Sequence, residues 1–105
     1  MIVYNVTVTV DTSIESEWLS WMQQKHIPEV LNTGLFIEAQ LKKVISDNGN
    51  TFAISYTCNT MQDLHKYQVN FASQIQKKHI NKFGDKAVAF RTILEILNNF
   101  NKDIL

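Results

Sequence analysis

Apolar and polar residues alternate from Ile2 to Val10. Ile2, Tyr4, Val6, Val8 and Val10 point one way, and Val3, Asn5, Thr7 and Thr9 the other. A period of two carried by β-branched residues describes a strand with one apolar face. In the Asp11-Thr12-Ser13 segment that follows, Thr12 and Glu15 have the spacing of a capping box, each side chain serving the other's backbone N–H. Ile14, Trp18, Trp21 and Met22 then recur at four, three and one, the single apolar stripe of a helix. Pro28 has no N–H to give a helix and pushes Ile27 away from helical angles. That predicts a first helix ending near Lys25 or His26 and a second short segment from Pro28 to Leu31, with proline in its first turn.

Leu35 to Ser46 again alternates, with Leu35, Ile37, Ala39 and Leu41 against Phe36, Glu38, Gln40 and Lys42. The phase slips at Val44, which predicts a bulge near Lys42-Lys43. Asp47-Asn48-Gly49-Asn50 is a hairpin turn signal, and a third strand follows with Phe52, Ile54, Tyr56 and Cys58 on one face. Thr60 and Asp63 repeat the capping-box spacing, and Met61, Leu64, Tyr67, Phe71 and Ile75 mark a helix that runs to Phe83, where Gly84 stops it. Lys86 to Leu97 reads as a last strand, with Val88, Phe90, Leu94 and Ile96 against Ala87, Ala89, Arg91, Ile93 and Glu95.

Strand, helix, strand, strand, helix, strand is the ferredoxin-like βαββαβ plan. It is an α+β fold with a four-stranded antiparallel sheet and two helices on one face. Residues 1–97 form one domain and 98–105 lose periodicity as a C-terminal tail. The stripes with Tyr4, Ile54 and Phe90 are expected to meet the helices. The opposite face then collects Asn5, Glu38, Gln40, Ser55 and Arg91, and meets either water or a second copy of itself.

Composition narrows the partners. With 105 residues, 45% hydrophobic and 19% charged, the chain is an ordinary globular domain. Ten Lys+Arg balance ten Asp+Glu, without the clustered positive charge that gripping nucleic acid or an anionic membrane requires. Cys58 is alone, so no disulfide forms within the chain, and its place in a strand is that of a small buried hydrophobe. MIVYNV lacks the pattern of a secretory signal and no apolar run reaches membrane-spanning length, so a cytoplasmic protein is expected.

Three segments carry a resemblance: MIVYNVTVTV at the start, W-x-x-W-M-x-x-x-H-I-P-E-V-L-x-T-G-L-F from Trp18 to Phe36, and F-G-D-K-x-V-A-F-R-T from Phe83 to Thr92. Together they resemble a small bacterial family of unknown function. The resemblance implies the dimeric α+β barrel group, in which two ferredoxin-like subunits pack sheet against sheet. That group includes cofactor-free monooxygenases, muconolactone isomerases, haem-degrading enzymes and ligand-sensing domains, so its fold does not choose a function.

The residues themselves supply a few candidates. His26, two positions before Pro28 and near Glu29, is either a general acid/base or a histidine satisfying backbone groups at the helix interruption. Trp18 belongs to the core stripe, and Trp21 at its margin is either core, the favoured reading, or within reach of a cavity rim or a dimer contact. Arg91 must be paired if it is covered. It either pairs with Glu38 across a dimer interface or grips a carboxylate, with Glu38 or His26 handling protons. Asn5, Gln40 and Ser55 share the expected face and are further ligand-binding candidates. His65 and His79 are expected in solvent, and no histidine has zinc-site spacing. The reading is a homodimer joined through the open sheet face, without cofactor or metal, that is non-catalytic or binds a small organic ligand. The alternative is a cofactor-independent, monooxygenase-like or isomerase-like enzyme acting on a small anionic or aromatic metabolite.

Overall fold

The computed structural model describes residues 1–46 and 49–103. Its strands are β1 (Ile2–Val10), β2 (Glu38–Lys43), β3 (Thr51–Cys58) and β4 (Ala87–Glu95), ordered β2-β3-β1-β4 with every pairing antiparallel. Two helical arms cover one face. The first joins α1 (Glu15–Trp21) to α2 (Ile27–Leu31) through a π segment, Met22–His26. The second joins α3 (Met61–Tyr67) to α4 (Ser73–Phe83) through another, Gln68–Ala72. This is the ferredoxin-like fold anticipated from the element order. Among the described residues no helix is long and apolar enough to cross a membrane.

The core forms where the arms meet the sheet. Val8, Val10, Ile54 and Cys58 of the sheet and Trp18, Met22, Val30 and Leu64 of the arms are buried. Trp18 lies on Phe52 with ring centroids 5.0 Å apart. Each such large side chain contributes about 1.5–3 kcal/mol through removal from water. Exposed ion pairs, Lys78–Glu29 at 2.6 Å and Lys82–Glu17 at 3.5 Å, tie α4 to the first arm and contribute little.

Local details depart from the sequence expectation for physical reasons. Pro28 does not break the chain's helical course, since His26 and Ile27 both keep right-handed helical angles. The Ile27 N–H reaches back five residues to the Met22 carbonyl, and this widened turn makes room for a ring that would otherwise press on the carbonyl of Gln24. Asp11, not Thr12, caps the first turn, its carboxylate accepting from the Ser13 N–H at 2.9 Å. Thr60 does cap the second arm, accepting from the Asp63 N–H at 3.1 Å.

Strand β2 is shorter than its alternation suggests, because Gly34 at φ +79° turns the chain just before it. Phe36 therefore lies outside the ladder and is buried rather than on the open face. No bulge interrupts β2, whose ladder runs regularly from Glu38–Thr57 to Lys43–Phe52. The Val44 phase slip falls where the strand has already ended. The predicted turn at Asp47-Asn48 lies outside the described residues. In the second arm the five-residue π segment carries the buried stripe from Tyr67 to Ala72, so Phe71 is exposed instead of buried.

The largest correction concerns β4. Its register pairs Val10 with Ala87, Val8 with Ala89 and Val6 with Arg91. Directly paired residues share a face, so Ala87, Ala89 and Arg91 lie on the helix side. Val88, Phe90 and Leu94 lie on the open face, at 61%, 63% and 49% exposure. Both stripes of β4 are apolar, so alternation alone cannot orient the strand. The small alanines fit beneath the helices, and the bulky residues turn outward.

Candidate functional site

Inverting β4 moves the chemistry from the open face to the helix side. A small cavity of about 30 Å³, room for a water or two, lies between the arms and the sheet. Its polar lining comes from His26, His79, Tyr4, Tyr56, Tyr67, Gln76 and Arg91. Tyr4, Gln76 and Arg91 also line an open groove of about 600 Å³ between the second arm and the β4 edge. Arg91 thus stands where cavity and groove meet.

The two π segments help bring these residues together. Trp18, Met22, His26 and Val30 recur every four residues, a spacing that drifts about 40° per step around a regular helix. The widened turn at Met22–His26 absorbs part of that drift and keeps His26 toward the sheet. In the second arm Ile75, His79 and Phe83 continue the stripe that the π segment has shifted.

His79 is half-buried rather than solvent-exposed, while His65 is exposed. The Trp18 indole N–H donates to His79 Nε2 at 2.9 Å. That bond satisfies the buried indole and requires a neutral imidazole with its proton on Nδ1, because a protonated ring has no acceptor. Burial, then the Arg91 charge, holds the His79 pKa below the usual histidine value. His26 packs against Trp21 and His79, with centroids 5.1 and 5.8 Å away. Its Nδ1 is buried without a hydrogen-bond partner among the described residues. Burial first, with His79 and Arg91 adding to it and Glu29 opposing, brings the His26 pKa down to about 4.

Tyr4, Tyr56 and Tyr67 gather around the buried Phe36, with Phe36–Tyr67 centroids 4.9 Å apart and Phe36–Tyr56 5.4 Å. Burial raises the pKa of all three phenols, so they act as neutral hydrogen-bond donors. Tyr4, Gln76 and Arg91 line both the cavity and the groove, and the Arg91 charge opposes the rise of the Tyr4 pKa. Among the described residues no carboxylate pairs with Arg91. The result is a positive and donor-rich lip above two neutral imidazoles, chemistry complementary to an anion.

The structure divides the sequence candidates between two faces. His26 and Arg91 line one cavity, and Trp21 packs behind it against His26, His79 and Phe83. Glu38, Asn5, Gln40 and Ser55 lie on the opposite face, so the expected Arg91–Glu38 pairing is replaced by two unrelated environments. There Ser55 donates to Asn5 at 3.1 Å and accepts from Lys42. Sequence reasoning missed His79 and Gln76, and it placed Tyr4 and Tyr56 in the core without the cavity they line. The Ile75-x3-His79-x3-Phe83 spacing was the available signal for His79. Among the described residues no group of three or more His, Cys, Asp or Glu is placed to hold a metal.

Similar folds occur in solved structures of very different sequence. A dimeric ferredoxin-like protein from an uncultured marine organism superposes with TM-score 0.73 at 11% identity, covering 97% of this chain and 100% of its own. A candidate antibiotic biosynthesis monooxygenase from Deinococcus radiodurans gives 0.71 at 10%, covering 96% and 97%. An ethyl tert-butyl ether D (EthD) family protein from Bacillus halodurans gives 0.65 at 9%, covering 90% and 98%. No curated protein matches the sequence. Residues 1–97 match DUF4286, a domain of unknown function, and the chain belongs to that family.

Proposed function

We propose that this protein is a homodimer, joined through its open sheet face, that binds a small organic anion on the helix side at Arg91. The observation that carries the binding role is the Arg91 guanidinium. It lies at the junction of cavity and groove beside Tyr4 and Gln76, with no carboxylate partner among the described residues. A guanidinium so placed offers a planar fork of donors matched to a carboxylate. The 30 Å³ cavity is too small for a metabolite, so the ligand lies in the groove with its anionic end toward Arg91.

The dimer rests on Val88, Phe90 and Leu94, a row of large apolar residues on a sheet face with no covering layer of its own. Solved proteins of this fold described as dimeric add support. The occupant is a second copy, and residues 98–105 remain a tail outside the 1–97 domain. A cytoplasmic setting, where Cys58 stays a free thiol, completes the reading.

Binding ranks ahead of catalysis because His26, the candidate base, is tuned the wrong way. With a pKa of about 4 it resists protonation at neutral pH by about 4 kcal/mol, whereas an effective general base titrates near working pH. Thermal-shift and calorimetric titration with small carboxylates tests the proposal. The wild type should bind a subset of them, and Arg91→Ala should weaken binding at least tenfold. Unchanged binding in that variant removes Arg91 from the site. A light-scattering mass near 12.1 kDa, one chain, at micromolar concentration removes the dimer.

A further inference from the structure

The groove beside Arg91 carries a second unneutralised cation. Three lysines lie on α4, and two of them are paired across to the first arm, Lys78 with Glu29 and Lys82 with Glu17. Lys77 instead lines the groove that Arg91 also lines, and among the described residues neither has a carboxylate partner. No acidic residue is found among the described residues of that groove, although acidic and basic residues are equal in number along the chain. Neutral donors share the lining of the groove, namely Gln68, Ser73 and Gln76 on the arm and Tyr4 on the sheet. Ala72 and Ile80 supply apolar wall.

Resting on the anion-binding reading, we infer that the ligand carries two anionic groups and is a small dicarboxylate. One carboxylate lies on Arg91 with Tyr4 and Gln76, the other reaches Lys77, and a short carbon spacer lies along Ala72 and Ile80. A second carboxylate gains an attractive contact at Lys77 that a single carboxylate held at Arg91 does not make. Two cations on separate elements, Arg91 on β4 and Lys77 on α4, discriminate by the second charge, whereas the open groove sets only a loose limit on the spacer.

Calorimetric titration of the full chain with matched probes tests this, using succinate against butyrate and phthalate against benzoate. The dicarboxylate of at least one pair should bind at least tenfold more tightly. Lys77→Gln should cut that advantage to twofold or less while leaving the monocarboxylate unchanged, and Arg91→Gln should weaken both probes. Lys77 is exposed, so its variant keeps the fold. Equal binding within both pairs, with the Arg91 dependence intact, overturns the dicarboxylate and leaves the single-anion site standing. Full retention of the advantage in Lys77→Gln also overturns it. Phenyl phosphate binding tenfold more tightly than phthalate overturns it in favour of a phosphate ester. No binding of any probe overturns the anion site itself and the dicarboxylate with it.

Discussion

Acid should weaken this fold in a window set by His26. An imidazole whose pKa is near 6.5 when unfolded and about 4 when folded binds more protons in the unfolded state throughout that interval. Stability therefore rises with pH between the two values, is at its full level above 6.5, and is lost as pH falls toward 4. For this single group the loss is about 1.4 kcal/mol at pH 5.5 and about 2.5 kcal/mol at pH 4.5. His79 acts in the same direction, since burial lowers its pKa as well and its protonation would remove the acceptor of the Trp18 indole N–H. Asp11, whose pKa is lowered by its Ser13 hydrogen bonds, loses its contribution only below the ordinary carboxylate range, outside this window. Urea unfolding at pH 7.5, 6.5, 5.5 and 4.5, at one protein concentration because the proposed dimer would add to apparent stability, should show the decline. Against a total of about 5–15 kcal/mol for such domains it is readily measured. His26→Phe keeps a ring against Trp21 and removes the titration. Its stability should fall less between pH 7.5 and 4.5, by about the 2.5 kcal/mol assigned to His26. Identical slopes for the two proteins would refute the assignment, because the acid loss would then come from elsewhere.

Trp18→Phe should destabilise the protein by about 1–3 kcal/mol in urea unfolding, since it removes buried volume and leaves His79 Nε2 without its donor; a loss below roughly 0.5 kcal/mol, the range of ordinary surface substitutions, would contradict that. Gly84 closes α4 at φ +59° and ψ −135°, a conformation nearly reserved for glycine, and a Cβ there would meet nothing within 4 Å. Gly84→Ala should therefore lower stability by about 1–3 kcal/mol through backbone strain alone, and a neutral result would deny the strain. Phe90→Asp places a charge in the apolar row of the open face and should yield monomer by light scattering; an unchanged dimer would mean that another surface joins the copies. A chain ending at Leu97 should keep its dimer mass and melt within about 2 °C of the full chain, because single surface changes of small energy move melting by only a few degrees, whereas a larger drop would make residues 98–105 part of the fold.

Much of the architecture is written in local pattern. The period-two runs, the Thr60 cap and the Gly84 stop specify the element order of a ferredoxin-like fold without reference to any distant contact. The same pattern could not orient β4, because Val88 and Phe90 compete with Ala87 and Ala89 as the core stripe on hydrophobicity alone. The pairing of β4 with β1 decided the matter, and with it the side of the sheet on which Arg91 lies. His26 and Trp18 were visible as unusual residues, yet their roles depended on His79, which is distant in sequence and reaches both across the space between the arms. Periods of 3.6 hid that contact, since each arm widens into a π turn that shifts its buried stripe by one position. Sequence by itself thus determined which elements form and in what order, since propensity, capping and turn chemistry act over a few residues. Only the tertiary structure decided which faces meet, because a face is chosen by the size and register of what packs against it.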